Sequence, residues 1–150
     1  MLFRSAAALV AEGLTGEGVT DITAYDVRPR PQQAGVTMAA SMEDLLGASD
    51  IIFAAVTSAV ALSVAIEAAP HLNQRHLYVD INSVSPDTKI AVGKTVTEAG
   101  ARFVEAAVMA GVPGYGHKVP MLLRSEELTS ELQSRRNLVC RLLLEKKKLV

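Results

Sequence analysis

Asp50-Ile-Ile-Phe-Ala-Ala-Val56 carries one charge, at its start, and no alternation of polar and apolar positions. A short continuous apolar run of this kind predicts a strand buried on both faces, as in a parallel sheet covered by helices. Residues 58–69 follow as a helix, which Pro70 is expected to stop. The same pairing then recurs. Residues 76–81 (HLYVDI) read as a strand, and Ser85-Pro86-Asp87 opens a helix with proline at its first position, running to Gly100. Residues 102–108 (RFVEAAV) read as a further strand and residues 111–116 as a loop. Toward the N-terminus, residues 6–13 (AAALVAEG) read as the end of a helix, with Gly13, Gly16 and Gly18 punctuating the turn after it. The alternating, β-branched residues 21–27 (DITAYDV) predict a strand, ended by Arg28-Pro29-Arg30-Pro31. Residues 35–39 form a short strand, and Ser41 caps a helix with Asp44 three residues on.

Strands alternating with helices imply βαβ units, and right-handed crossovers then give a doubly wound parallel sheet. The fold class is therefore α/β, of Rossmann type. Such a domain begins with a strand, a glycine turn, a helix and a second strand. This sequence opens inside the first helix, so the sheet is expected to be truncated, lacking its first strand. The fingerprint G-x-G-x-x-G is absent, and Gly13-x-x-Gly16-x-Gly18 follows a helix and precedes a strand, which is the wrong context for it. Exposed edges and apolar faces beside a missing strand predict aggregation or dimerisation.

Composition narrows the function classes. Of 150 residues, 49 % are hydrophobic and 21 % charged, the balance of a globular chain and not a disordered one. One cysteine excludes a disulfide framework and a multi-cysteine zinc site, and His71, His76 and His117 show no metal-ligand spacing. A net charge of −1 and 4 % aromatics argue against a nucleic-acid partner. The most apolar window, residues 51–66, is fenced by Asp50 and Glu67 and falls short of a membrane span. With Glu12 and Glu17 close behind it, the N-terminus is a poor transit peptide. These features lead to an expected cytoplasmic location with no membrane partner.

Charge and breakers are unevenly spread. Residues 1–123 hold 8 basic and 12 acidic residues, whereas 124–150 hold 7 basic and 4 acidic, and all 10 Gly and 6 Pro lie in the first 123. The last 27 residues read either as a native amphipathic helix, with Leu128, Leu132, Val139 and Leu142 on one face, or as a scar. Leu2-Phe3-Arg4-Ser5 is encodable as CTC TTC CGA TCT, whose reverse complement encodes Arg-Ser-Glu-Glu, the residues at 124–127. This favours adapter-derived sequence at 1–5 and an adapter-derived helical tail at 124–150, leaving 6–123 as a partial α/β domain.

Ligands of doubly wound sheets bind at strand carboxyl ends. Asp26 stands where an acid accepts the ribose hydroxyls of a dinucleotide, or it simply initiates a turn. Arg28 and Arg30 suit a 2′-phosphate, or are solvated loop charges. Asn82 and Ser83 offer a donor, an acceptor and a hydroxyl where substrate and nicotinamide meet. Ser85 reads as a helix cap.

The stretch Val79-Asp-Ile-Asn-Ser-Val-Ser-Pro-Asp-Thr88 resembles one in the β-hydroxyacid dehydrogenases, the group that includes 6-phosphogluconate dehydrogenase and 3-hydroxyisobutyrate dehydrogenase. The resemblance covers residues 6–123. It implies a partial NAD(P)-binding domain in which Asn82 and Ser83 contact substrate or nicotinamide and Val56 and Thr57 lie in a loop under the cofactor. Phe103-Val-Glu-Ala-Ala-Val-Met-Ala-Gly111 resembles the strand that leads into the family's Ser-Gly-Gly substrate loop, of which only Gly111 matches. Residues 107–120 are most similar to a 6-phosphogluconate-dehydrogenase-like branch. The family's catalytic lysine, in a G-x-x-G-x-x-x-K-x-x-x-N stretch, has no counterpart, and Lys118 does not match it. No catalytic and no metal-binding residue is therefore assigned. The resemblance implies a parent oxidoreductase, using NAD or NADP to move hydride to or from a small hydroxy acid, homodimeric, with this chain inactive alone. Two alternatives stand beside it: a non-enzymatic dinucleotide-sensing or interaction module, and an imine reductase-like enzyme.

Overall fold

The computed structural model describes residues 6–28 and 33–125. Helices α1 (Ala6–Gly16), α2 (Met42–Ala48), α3 (Ala61–Ala68), α4 (Pro86–Glu98) and α5 (Val112–Tyr115) interleave with strands β1 (Thr23–Ala24), β2 (Thr37–Met38), β3 (Ile51–Ala54), β4 (Leu77–Asp80), β5 (Arg102–Val108) and β6 (Met121–Arg124). This is the expected α/β alternation, and β5 has the predicted limits. Expectations for residues 1–5 and 126–150, and for Arg30, lie outside the described residues.

The sheet is in two pieces. β1 and β2 pair in parallel, and β3, β4, β5 and β6 form a second sheet in that order. β3, β4 and β5 are parallel, with Ile51 opposite Leu77 and Leu77 opposite Arg102. In the doubly wound order a strand runs between the elements that correspond to β1 and β3. Among the described residues none does, and the sheet divides at that position.

Two apolar layers cover the larger sheet. Leu46, Ile52, Ala65, Leu72, Tyr78, Val92 and Val96 pack beneath α2, α3 and α4. Val10, Val79, Val104, Ala106, Val112 and Met121 pack on the other face beneath α1 and α5. Alternate residues of β4 and β5 feed opposite layers, so these strands carry apolar residues on both faces.

Local chemistry explains the helix limits. The Ser41 hydroxyl accepts from the Asp44 N–H at 3.0 Å, and the Ser85 hydroxyl accepts from the Thr88 N–H at 3.3 Å, so both predicted caps form. The C-terminus of α2 is closed from outside. Arg75 donates to the Leu46 and Gly47 carbonyls, both at 2.8 Å, and the His76 Nε2 stands 3.0 Å from the Leu46 carbonyl. His76 Nδ1 accepts from the Asn73 N–H at 2.9 Å, which makes Nε2 the protonated nitrogen. His76 is fully buried in this role.

Five sequence expectations need correction. The helix expected to end at Gly13 continues to Gly16, so Gly13 and Gly16 lie inside α1 and only Gly18 stands in the turn. The helix expected over 58–69 begins at Ala61, and Pro70 sits inside a 3-10 turn, Ala69–His71, near its start, where its missing N–H costs nothing. The loop expected over 111–116 contains α5, with Pro113 in its first turn, followed by the 3-10 turn Gly116–Lys118. The strands expected over 21–27 and 35–39 shrink to two residues each. Finally, Arg124, assigned above to the helical tail, is the last residue of β6, which pairs antiparallel with β5 and places Arg124 opposite Glu105. The sequence Met-Leu-Leu-Arg lacks the period-2 alternation that marks a half-buried strand.

Candidate functional site

The carboxyl ends of β3, β4 and β5 carry the polar residues singled out above. After β3, Val56, Thr57 and Ser58 are all exposed. After β4 the chain turns through Ile81 and Asn82 to Ser83, and α4 starts at Pro86. After β5 come Met109, which is largely exposed, and Gly111, the N-cap of α5. Asp26 and Arg28 follow β1, in the other sheet.

The structure separates Asn82 from Ser83. Asn82 is buried, and its Oδ1 accepts from the Val56 N–H at 2.6 Å. Its Nδ2 donates to Asp80 Oδ1, which also accepts from the Asn82 N–H at 3.0 Å. The Asn82 side chain thus joins the end of β4 to the loop after β3. Ser83 is exposed, and its hydroxyl makes no hydrogen bond among the described residues.

Beneath this turn lies a residue that the sequence reading passed over. Lys89, on the second turn of α4, is buried, and its Nζ stands 2.9 Å from Asp80 Oδ2 and 2.7 Å from the Asn82 carbonyl. Asp80 is fully buried. Its carboxylate therefore has Lys89 on one oxygen and Asn82 on the other. Burial, and after it the Asp80 charge, raise the pKa of the neighbouring Tyr78 hydroxyl above its ordinary value.

The remaining predicted residues stand as follows. Asp26 Oδ1 accepts from the Arg28 N–H at 2.9 Å, an Asx turn, so the turn-initiating geometry is present. Arg28 is exposed. Val56 is also exposed, and its N–H is held by Asn82. Gly111 is exposed, and a Cβ there would meet open space, so backbone crowding does not demand glycine. No group of three or more His, Cys, Asp or Glu residues that could hold a metal ion occurs among the described residues. No described helix is long and apolar enough to cross a membrane.

A mostly parallel sheet with helices on both faces, and polar side chains gathered beyond its strand ends, defines an α/β domain of the dinucleotide-binding, Rossmann-like class. The chain belongs to the family of the NAD binding domain of 6-phosphogluconate dehydrogenase, whose family model matches residues 7–123. A conserved hypothetical protein from Sinorhizobium meliloti is similar in structure, with 33 % identity and a TM-score of 0.73, over 89 % of this chain and 49 % of that one. A conserved protein of unknown function, described as structurally similar to 3-hydroxyacid dehydrogenases, matches with 29 % identity and a TM-score of 0.69, over 87 % of this chain and 51 % of its own. The mitochondrial 3-hydroxyisobutyrate dehydrogenase of Drosophila melanogaster is 28 % identical over 82 residues, which is 53 % of this chain and 25 % of that protein. The chain thus spans about half the length of these solved structures and a quarter of the curated relative.

Proposed function

We propose that this chain is the nucleotide-binding part of an NAD(P)-dependent oxidoreductase acting on a small hydroxy acid. The observation that carries this reading is the exposed, unbonded Ser83 hydroxyl, set at the end of β4 beside the exposed residues Val56 and Thr57. In a doubly wound sheet this is where a nicotinamide and its substrate meet.

The donor set fits one end of such a cofactor. Ser83 and Thr57 supply hydroxyls for the nicotinamide side, and the Val56 side chain supplies an apolar surface for the ring. Asp26 and Arg28 serve the adenosine side, the acid for ribose hydroxyls or the guanidinium for a 2′-phosphate. The phosphate cradle is the part without a match, because the 150 residues contain no G-x-G-x-x-G. When bound, the nicotinamide supplies the hydride chemistry, and these residues orient it and the substrate. Gly111, at the start of α5, bounds the substrate side. No residue of this chain is assigned proton transfer, so the chain alone is expected to bind weakly and not to turn over. The parent is proposed to be a cytoplasmic homodimer.

A titration with NADH and NADPH, followed by amide NMR and with turnover of hydroxy acids and cyclic imines measured in parallel, tests this. Shifts at 56–58 and 82–83 without turnover are expected. Turnover by the isolated chain contradicts its inactivity, and imine reduction replaces the hydroxy-acid reading. Shifts confined to other regions overturn the site.

A further inference from the structure

The Asp80–Lys89 pair needs an explanation that packing does not give. A buried ion pair sacrifices hydration on both sides, and apolar residues of similar volume are commonly as stabilising. Here the pair sits at the end of β4, beneath the proposed ligand site, and its partners are arranged in sequence. Lys89 Nζ has Asp80 Oδ2 at 2.9 Å, the Asn82 carbonyl at 2.7 Å and the Asp80 carbonyl at 3.5 Å. Asp80 Oδ1 takes both the backbone and the side-chain N–H groups of Asn82. Asn82 Oδ1 then takes the Val56 N–H. The chain of contacts runs from α4, through the end of β4, to the loop after β3.

We propose that Lys89 is a positioning residue for the nucleotide site, acting through Asp80 and Asn82 to fix the Val56 loop and leave Ser83 facing outward. Lys89 itself is buried and touches no ligand. In this assignment Asn82 is a brace and Ser83 the contact. The inference rests on the reading that the strand ends bind a nicotinamide nucleotide, but its first readout needs no ligand.

The test compares the unmodified chain with Asp80→Asn/Lys89→Met, which removes both charges together, and with Asn82→Ala, which keeps the pair and removes the brace. Amide hydrogen exchange is read at Val56 and, as a reporter of global unfolding, at Val104 in β5. In both variants Val56 exchange is expected to rise about tenfold or more while Val104 protection changes little, the pattern of a local opening. Nucleotide-induced shifts at Ser83 should weaken in parallel. Unchanged Val56 exchange in either folded variant overturns the positioning role. Should the double variant fail to fold, Asp80→Asn, which keeps the side-chain volume and removes the charge facing Lys89, decides by the same readout, and unchanged Val56 exchange in it overturns the role of Lys89. If the unmodified chain shows no nucleotide shifts while Val56 exchange still rises in the variants, the binding reading fails and the mechanical coupling stands.

Discussion

Lys89 makes three polar contacts from a buried position, and breaking them leaves Asp80 buried without its counter-charge. Truncation of one partner in a buried pair removes about 3–5 kcal/mol. Lys89→Met is therefore expected to lower the free energy of unfolding by that order, as measured by urea denaturation, and a loss below about 1 kcal/mol, typical of a surface pair, contradicts the burial. Gly13 gives a second residue-level prediction. A Cβ there would lie 2.0 Å from His117 Nδ1, because the imidazole packs directly on the α1 backbone. Gly13→Ala should then cost about 1–3 kcal/mol, as overpacking does, although alanine favours helix at an open position. A gain in melting temperature argues against that contact. Asn82 and Ser83 were legible from their place at a strand end. Lys89 was not, because its pairing with Asp80 depends on a strand-to-helix turn that folds the lysine back over the strand end.

At the level of elements, α1 is fastened to the 3-10 turn Gly116–Lys118 by charge. Glu17 Oε1 stands 2.8 Å from Lys118 Nζ and 3.1 Å from His117 Nε2, the latter without hydrogen-bond alignment. Lys118 first, and His117 second, hold the Glu17 carboxyl below its usual pKa of 4.5. A depressed folded pKa means that this contribution is fully present above the unfolded value and fades as pH falls through the folded one. Melting temperature should thus decline more steeply below about pH 4.5 in the unmodified chain than in Glu17→Gln, and parallel pH profiles contradict the latch. The two predicted helix caps were readable because a serine and its N–H partner are three residues apart. The closure of α2 by Arg75 and His76 was not, since those residues come from the far side of β3 and α3 and reach Leu46 only after folding.

For the whole molecule, the edges of β1 and β3 that have no strand partner among the described residues are expected to drive association. Phe53, in β3, is 39 % exposed although its strand reads as buried on both faces. Unpaired strand edges beside exposed apolar groups template association. Sedimentation velocity should show mass rising with protein concentration, and a monomer across the range contradicts this. The alternation of elements was legible because apolar runs and turn residues are local signals. β6 was not, because its antiparallel pairing with β5 is fixed by the intervening α5 and its following turn.

On the proposed function, the nicotinamide end of a dinucleotide meets this chain at the carboxyl ends of β3 and β4. Amide NMR of the isotopically labelled chain, titrated to millimolar NADH and NADPH, tests it most directly. Saturable shifts centred on residues 56–58 and 82–83 are expected, with smaller ones at Asp26 and Arg28. Shifts centred elsewhere, or none at these residues, would contradict it.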